Sequence, residues 1–159
     1  MDDNHLTPDA PVVTAADARA FWNMGTLWVL LGEPERTNGS TTVLELTTPV
    51  GSGPPPHVHQ HSDEWFYVLE GRARFRLGDR EVEGGPGAFI FVPRGTAHSF
   101  TVIDGPMRKL NVYTPSGPER FTLAVGTPTA DLVLPPAGLP RPDPALIEEA
   151  NRRSDTTPA

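Results

Sequence analysis

The sequence contains no cysteine, no long apolar run and no extended cluster of basic residues. Without cysteine, disulfide bonds and thiolate zinc sites are excluded. No apolar stretch approaches the roughly 18 residues that a membrane-spanning helix needs, so we expect no membrane association. The net charge of −7 argues against nucleic-acid binding, because contacts between basic side chains and phosphates dominate that affinity.

The N-terminus and the composition set further limits. Residues Met1–His5 are acidic and polar, which is not the pattern of a secretory signal peptide, and we therefore expect a cytoplasmic protein. The 159 residues are enough for one domain with a substantial core. Nineteen prolines and fifteen glycines indicate many short elements joined by tight turns, together with proline-rich ends.

Strand signals recur at intervals of about 8 to 12 residues through the middle of the chain. In 72–77 charged and apolar residues alternate strictly, and this pattern predicts that Arg72, Arg74 and Arg76 face outward. Long helical patterns between the strands are missing, so we predict an all-β antiparallel sandwich or barrel and not a parallel α/β fold. The segments that predict strands are 26–31, 41–48, 65–69, 72–77, 88–92, 97–103 and 107–113.

Two short helices are predicted, one near each end of the chain. Thr14 is a candidate N-cap for a helix over 15–21, with Asp17 three residues later as its capping-box partner. Asp143 is a residue type favoured at the N-cap, and the proline that follows it is favoured in the first turn, so a second helix is predicted over 144–153.

These elements divide the chain into three parts. We predict a flexible N-terminal tail at 1–13, a β-barrel domain at 14–133 and a proline-rich segment with its short helix at 134–159. We also predict a homodimer, because the apolar strand at 27–31 and the N-terminal arm offer an edge for pairing with a second copy.

The histidines point to a metal site. Four of the five lie within residues 51–98. His57 and His59 are two residues apart on a predicted strand and therefore face the same side. Glu64 follows after a turn, and His98 comes from a later strand. Three imidazoles and one carboxylate suit a borderline transition metal and leave one or two positions open for chemistry, so these four residues are the predicted ligands.

Each of these residues taken alone has a simpler interpretation. Exposed pairs of histidines two residues apart are common without a metal. Glu64 alone is more typical of a solvated charge, and His98 alone of a core or surface imidazole. His61 shares the parity of the predicted ligands but lies in a polar turn, so we expect it to be solvated or to contact a ligand from outside.

The spacing of these residues resembles the first motif of the cupin family, which runs glycine, five residues, His-x-His, three or four residues, glutamate, six residues, glycine. The matching positions are Gly51, His57, His59, Glu64 and Gly71. All the fixed positions of this motif are present.

The second cupin motif runs glycine, five residues, Pro-x-Gly, two residues, histidine, three residues, asparagine. The sequence is similar at Gly87, Pro93, Gly95 and His98, and it departs only at Val102, where the motif has asparagine. That asparagine is not a metal ligand in the family, so the departure leaves the predicted metal site intact.

The resemblance implies a cupin jelly-roll-like antiparallel β-barrel that holds one divalent metal, Fe, Ni, Mn, Co, Cu or Zn, at His57, His59, Glu64 and His98. A longer likeness, over 53–59, 63–71 and 114–121, is to single-domain cupins of the quercetin-dioxygenase-like group. It implies a dioxygenase of the flavonol ring-cleaving type, with a small aromatic or enolisable substrate, O₂ as co-substrate, and Glu64 as both ligand and base.

Two other functions stay open at this point. One is a redox-neutral isomerase or cyclase, for example on a polyketide-like molecule, in which the metal is a Lewis acid. The other is a non-catalytic binding cupin. An aromatic substrate would suit a barrel mouth lined by aromatic side chains, and the candidates for that lining are Phe66, Phe75, Phe89, Phe91, Phe100 and Tyr113.

Overall fold

A computed structural model describes residues 12–159 of the chain. Within this range every strand pair is antiparallel, which confirms the predicted all-β antiparallel fold. The strands are β1 (Arg19–Asn23), β2 (Thr26–Gly32), β3 (Thr42–Thr48), β4 (His57–His59), β5 (Asp63–Leu77), β6 (Arg80–Gly84), β7 (Phe89–Val92), β8 (His98–Thr114), β9 (Thr127–Thr129) and β10 (Thr156–Pro158). The helices are α1 (Pro34–Thr37), α2 (Glu119–Val125) and α3 (Pro144–Arg153).

Two long strands, β5 and β8, form the centre of the jelly roll. They pair with each other along almost their whole length. The second half of β8 also pairs with β3, and the order continues outward through β2, β1 and β9. On its other side β5 pairs with β6 and β7. The segments predicted separately at 65–69 and 72–77 are thus one strand, and so are those at 97–103 and 107–113.

Both central strands change face partway along, in the sense that the inward-facing positions switch between even-numbered and odd-numbered residues. The buried positions of β5 are even-numbered up to residue 68 and odd-numbered from residue 73. Those of β8 are even-numbered up to residue 102 and, apart from Val112, odd-numbered from residue 107. The register of the β5–β8 pair shifts between Val68 and Ala73, as expected where extra residues bend a strand. The residues that face the interior are therefore even-numbered at one end of each strand and mostly odd-numbered at the other.

Hydrophobic clusters fill the interior. In 72–77 Ala73 and Phe75 are fully buried while Arg72, Arg74 and Arg76 are exposed, which confirms the predicted alternation. Burying one such Phe side chain contributes about 2 kcal/mol. The larger cluster consists of Phe66, Val68, Ala73, Phe75, Ile90, Val92, Phe100, Val102 and Met107. A second cluster between β1, β2, β3 and β8 consists of Phe21, Leu30, Leu44, Leu46 and Tyr113.

The predicted N-terminal helix over 15–21 is wrong. Residues 15–17 form a turn, and strand β1 begins at Arg19. The Thr14 hydroxyl does donate to the Asp17 carboxylate, at 2.5 Å, but this local bond closes only the turn. Pairing of β1 with β2 and β9 buries Phe21, and that tertiary burial outweighs the weak helical preference of the segment.

The C-terminal helix is confirmed, and it leads into a strand that was not predicted. The Asp143 side chain accepts a hydrogen bond from the backbone N–H of Ala145 at 2.7 Å, as an N-cap should. After α3 the chain continues into β10, which pairs with β4. No helix within 12–159 is both long and apolar enough to cross a membrane.

The structural reason given for a dimer is wrong, because the apolar strand at 27–31 is not an edge. It lies within β2, which pairs with β1 on one side and β3 on the other. The N-terminal arm, most of the predicted tail at 1–13 and His5 fall outside the described residues. The homodimer itself stays a prediction.

Gly71 lies where β5 and β8 change face, and it has a φ of 74°. A Cβ atom there would be 2.7 Å from the Cα of Met107. We therefore expect Gly71→Ala to destabilise the protein by more than about 2 kcal/mol, through clash and left-handed strain together. Urea unfolding followed by circular dichroism measures this effect.

Gly78→Ala is the matched control. Gly78 also has a positive φ, of 57°, but a Cβ there meets nothing within 4 Å. We expect a loss of about 1 kcal/mol from strain alone. Equal losses for the two variants would contradict the close approach at Gly71.

Candidate metal centre

The fold brings the four predicted ligands together. Backbone pairing between β4 and β8 places His57 opposite His98, and His59 lies two residues further along the same short strand. Glu64 is the second residue of β5. One donor atom from each of the four side chains can be chosen so that all lie within 4.8 Å of one another. That grouping is compact enough for a single cation.

The cluster is largely removed from solvent. His59, Glu64 and His98 are buried, and His57 is half-buried. The cluster therefore lies just beneath the surface, with His57 on its outer side. A cleft of about 290 Å³, lined in part by His98, Arg76 and Ser99, opens beside it. Of the four clustered residues, His98 is the one that lines this cleft.

Hydrogen bonds orient the three imidazole rings. The Nδ1 atom of His57 is 2.9 Å from the carbonyl oxygen of Pro55, and that of His98 is 2.9 Å from the carbonyl oxygen of Thr96. A carbonyl can only accept, so each Nδ1 carries the proton and Nε2 is left as the atom available for a metal.

The third ring, that of His59, is oriented by the C-terminal segment. Its Nδ1 lies 3.1 Å from the hydroxyl of Thr156 in β10. The same hydroxyl donates to the carbonyl oxygen of Ser154, at 3.3 Å. The hydroxyl is thus left to accept from Nδ1, which directs Nε2 of His59 toward the cluster as well.

One atom in the cluster is buried without a hydrogen-bond partner, namely Nε2 of His59. It lies 3.4 Å from Oε2 of Glu64. This distance is short enough for an ion pair, but the contact does not have hydrogen-bond geometry. An unsatisfied buried polar atom costs about 1–3 kcal/mol. A cation bound at this nitrogen would remove that cost, so the residues present fit a metal ion.

The Glu64 carboxylate and the His98 ring form a buried ion pair, with Oε2 2.7 Å from Nε2. Burial opposes ionisation of Glu64, yet its contacts with His59 and His98 hold its pKa well below the usual value. Burial likewise opposes a charge on His98, but the bond to Glu64 outweighs it and raises the pKa of His98.

His57 behaves differently, since burial and the nearby His98 lower its pKa to about 4. At neutral pH its imidazole is neutral and can act as a ligand. A divalent cation bound here would replace the proton that His98 and Glu64 otherwise share.

Three further polar side chains of the site lie on the inner face of β8: Lys109, Asn111 and Tyr113. Lys109 and Asn111 were not predicted from the sequence, and Tyr113 was predicted only as an aromatic residue lining the mouth. All three are buried. Asn111 donates from Nδ2 to Oε1 of Glu64 at 2.8 Å, and Lys109 donates from Nζ to Oδ1 of Asn111. The ring of Tyr113 packs edge-on against His59, with centroids 5.3 Å apart.

Burial dominates the ionisation of two of these groups. It lowers the pKa of Lys109 to about 7, although Glu64 partly opposes the change. It raises the pKa of Tyr113 well above its usual value, with the charge of Glu64 adding to the effect. The phenol stays protonated at neutral pH, whereas the amine of Lys109 is poised between its two forms.

Other predicted residues lie apart from the cluster. The side chain of His61 is 81 % exposed and pairs with Asp155, which agrees with a role outside the ligand set.

The expectation that Phe89 and Phe91 line the mouth is wrong. They are 62 % and 49 % exposed on the outer face of β7, because Ile90 and Val92 take the inward positions.

Comparison with known proteins places this fold and site in a family. The family model for the cupin domain matches residues 44–113, a range that holds all four clustered residues. An uncharacterised protein of Streptomyces coelicolor is 31% identical over 78 residues, 49% of this chain and 71% of that protein. This chain is a cupin.

A second relative has a described activity. Quercetin 2,3-dioxygenase of Bacillus subtilis (strain 168) is 27% identical over 106 residues, which are 67% of this cupin. The match spans only 32% of the length of that dioxygenase.

Solved structures support the fold. Streptomyces PAC13, determined as a single-residue variant with uridine, superposes with a TM-score of 0.56 at 24% identity. The superposition covers 67% of this cupin and 82% of PAC13. At this identity the likeness supports the jelly-roll architecture alone.

We expect His57→Ala and His98→Ala to lose bound metal while the cupin still folds, because each change removes one nitrogen ligand from a site formed by rigid strands. Metal per chain, measured by mass spectrometry after loading with Co²⁺ and desalting, checks this. His61→Ala is the control and should keep the wild-type content. Full metal content in both ligand variants would contradict the assignment.

The unusual pKa of Lys109 predicts how stability depends on pH. The amine titrates near 10.5 in the unfolded chain and at about 7 in the fold. Between these values the unfolded chain binds more protons, so stability rises with pH. For chelator-treated protein, the unfolding free energy should rise by roughly 1.4 kcal/mol per pH unit more in wild type than in Lys109→Met, between about pH 8 and 9.5.

Urea unfolding at a series of pH values measures this difference between the two proteins. The variant serves as the reference because every other titrating group is common to both. Parallel pH profiles would show that Lys109 titrates normally in the fold.

Proposed function

We propose that this cupin is a metal-dependent dioxygenase of the flavonol ring-cleaving type, acting on an aromatic or enolisable small molecule. The observation that carries the proposal is the cluster of three imidazoles and one carboxylate, with each ring directed so that Nε2 faces inward. The likeness to the quercetin 2,3-dioxygenase of Bacillus subtilis supports this choice of reaction.

The donor set defines what could be bound. Imidazole and carboxylate donors suit Fe, Ni, Mn, Co, Cu or Zn and do not select among them. Bound at His57, His59, Glu64 and His98, such a metal would supply a Lewis acid with one or two open positions for a substrate oxygen, and a redox-active one would also activate O₂.

Glu64 would serve as both ligand and base. Its Oε1 is engaged by Asn111, and its Oε2 faces His59 and His98. A substrate hydroxyl that enters beside His98 would come close to Oε2, which could accept the hydroxyl proton. The buried surroundings strengthen the attraction between the resulting enolate and any nearby cation, because little water screens it.

A redox-neutral reaction is the second candidate, and a specific observation favours it. The interior face of β8 adds two groups that can carry a proton, Lys109 and Tyr113, close to Glu64. Acid and base groups side by side suit an isomerase, a cyclase or an elimination reaction. PAC13, which shares the fold, is described as a nucleoside dehydratase. In this case the metal would be a Lewis acid only.

Oxygen uptake separates the candidates. We expect the Fe-, Mn-, Co- or Ni-loaded cupin to consume O₂ with a flavonol such as quercetin, measured with an oxygen electrode and matched to product formation. Glu64→Gln should reduce kcat by about 100-fold or more, because the base is lost. His61→Ala should keep the wild-type rate.

The other outcomes are equally informative. Absence of uptake with every redox-active metal would overturn the dioxygenase. Turnover under strict anaerobiosis, including with Zn²⁺, would support the redox-neutral reaction. Metal binding without turnover in either atmosphere would indicate a non-catalytic binding cupin.

A further inference from the structure

Lys109 is a fully buried basic side chain on the inner face of β8. Its side chain has no solvent exposure. Its Nζ atom donates to Oδ1 of Asn111 and lies over two rings, 4.0 Å from the centroid of Phe66 and 5.0 Å from that of Phe100. Removing an ammonium from water is costly even with cation–π contacts. An apolar side chain would fill this position at lower cost, so packing alone does not account for Lys109.

The contact with Lys109 fixes the orientation of the Asn111 amide. Nζ of Lys109 donates to Oδ1 of Asn111, and in its protonated form the amine can only donate, which favours this orientation of the amide. The amide nitrogen Nδ2 is then turned toward Glu64 and donates to its Oε1 at 2.8 Å. Rotating the amide by half a turn would place donor against donor at Lys109 and acceptor against acceptor at Glu64.

The orientation of Asn111 in turn distinguishes the two oxygens of Glu64. Oε1 is engaged by the amide nitrogen. Oε2 is left on the side of the imidazoles, 2.7 Å from Nε2 of His98 and 3.4 Å from Nε2 of His59. Only one carboxylate oxygen is therefore presented to the space between the rings.

We propose that Lys109 is a positioning residue of the metal centre, which acts through Asn111 to make Glu64 a ligand through Oε2 alone. This inference rests on the proposed metal site. A carboxylate that binds through one oxygen leaves a coordination position open, whereas one that binds through both fills it. Lys109 would thus preserve the open position that a substrate needs, without contacting metal or substrate.

The test compares Lys109→Met with wild type, using Co²⁺ as the probe. Methionine keeps an unbranched side chain against the two rings but cannot orient the amide. We expect Co²⁺ affinity, measured by calorimetry, to fall about 10-fold, as is typical when a residue that orients a ligand is lost. The visible absorption spectrum of bound Co²⁺ should also change in position and intensity, because the coordination number responds to the mode of carboxylate binding.

Asn111→Leu tests the same contacts at Asn111, the residue that links Lys109 to Glu64. We expect a comparable loss of Co²⁺ affinity, together with the same spectral change. Adding Lys109→Met to Asn111→Leu should then weaken binding no further, because Lys109 acts only through the amide. Additive losses from the two changes would contradict that route.

Val102→Ala is the matched control for a purely structural effect. Val102 lies on the inner face of the same strand and is 1% exposed. It belongs to the larger core cluster and takes no part in the hydrogen bonds from Lys109 to Asn111 and from Asn111 to Glu64. We expect a lower urea midpoint with unchanged Co²⁺ affinity and spectrum. Loss of Co²⁺ affinity in this variant as well would show that any weakening of the core disturbs the site, and would overturn the role assigned to Lys109.

The failures of the two proposals are distinguishable. If wild type does not bind Co²⁺, the metal site itself is wrong. If wild type binds but Lys109→Met has the same affinity and the same spectrum, the positioning role is wrong and the metal site stands. Should Lys109→Met not fold, Asn111→Leu decides, and wild-type binding by that variant would overturn the inference.

Discussion

The structure of the site depends on one buried carboxylate. Glu64 is 3% exposed, and a carboxylate in such a position must be neutralised or fully hydrogen-bonded. His98 and His59 face one of its oxygens, and Asn111 donates to the other. These partners come from β4 and β8, and β8 brings them to Glu64 because it pairs with both β4 and β5. The low-dielectric surroundings make each contact stronger than it would be at the surface.

The site also depends on elements remote in sequence from the motif residues. Thr156, in the last strand, orients the ring of His59, and the pairing of β10 with β4 holds it there. Lys109 and Asn111 come from the half of β8 that follows its change of face. Residues of β10 and of the second half of β8 thus support the ligands, and an unsupported ligand set of the same composition would be less well ordered.

The fold does not determine the reaction. A quercetin 2,3-dioxygenase resembles this chain in sequence, and a protein described as a nucleoside dehydratase resembles it in structure. One fold can carry different activities, and the residues of the site decide which one a given chain performs. In this cupin two buried neighbours of the site, Lys109 and Tyr113, belong to neither histidine motif, and the charge of Glu64 favours the protonated form of both.

Much of the ligand set was predictable because it depends on local spacing. His57 and His59 share a face by the two-residue period of a strand, and the fixed positions from Gly51 to Gly71 carry the rest of the first motif. The same local reasoning failed for 15–21, where a capping pattern around Thr14 predicted a helix. There the pairing of β1 with β2 and β9 decides the conformation. Local preference is weaker than the burial of Phe21 that this pairing achieves.

The sequence by itself determined the strand-rich class, the four candidate ligands and the C-terminal helix, because each is written in short-range periodicity or fixed spacing. Only the tertiary structure decided the supporting residues. Counting by twos from His98 predicts that Lys109 and Asn111 point outward, and the change of face between residues 102 and 107 turns them inward. That change lies where the paired strands β5 and β8 approach closely at Gly71. The backbone of Gly71 there packs against Met107, which is more than thirty positions away in the sequence. No local pattern encodes such a contact, because it exists only once the two strands have paired.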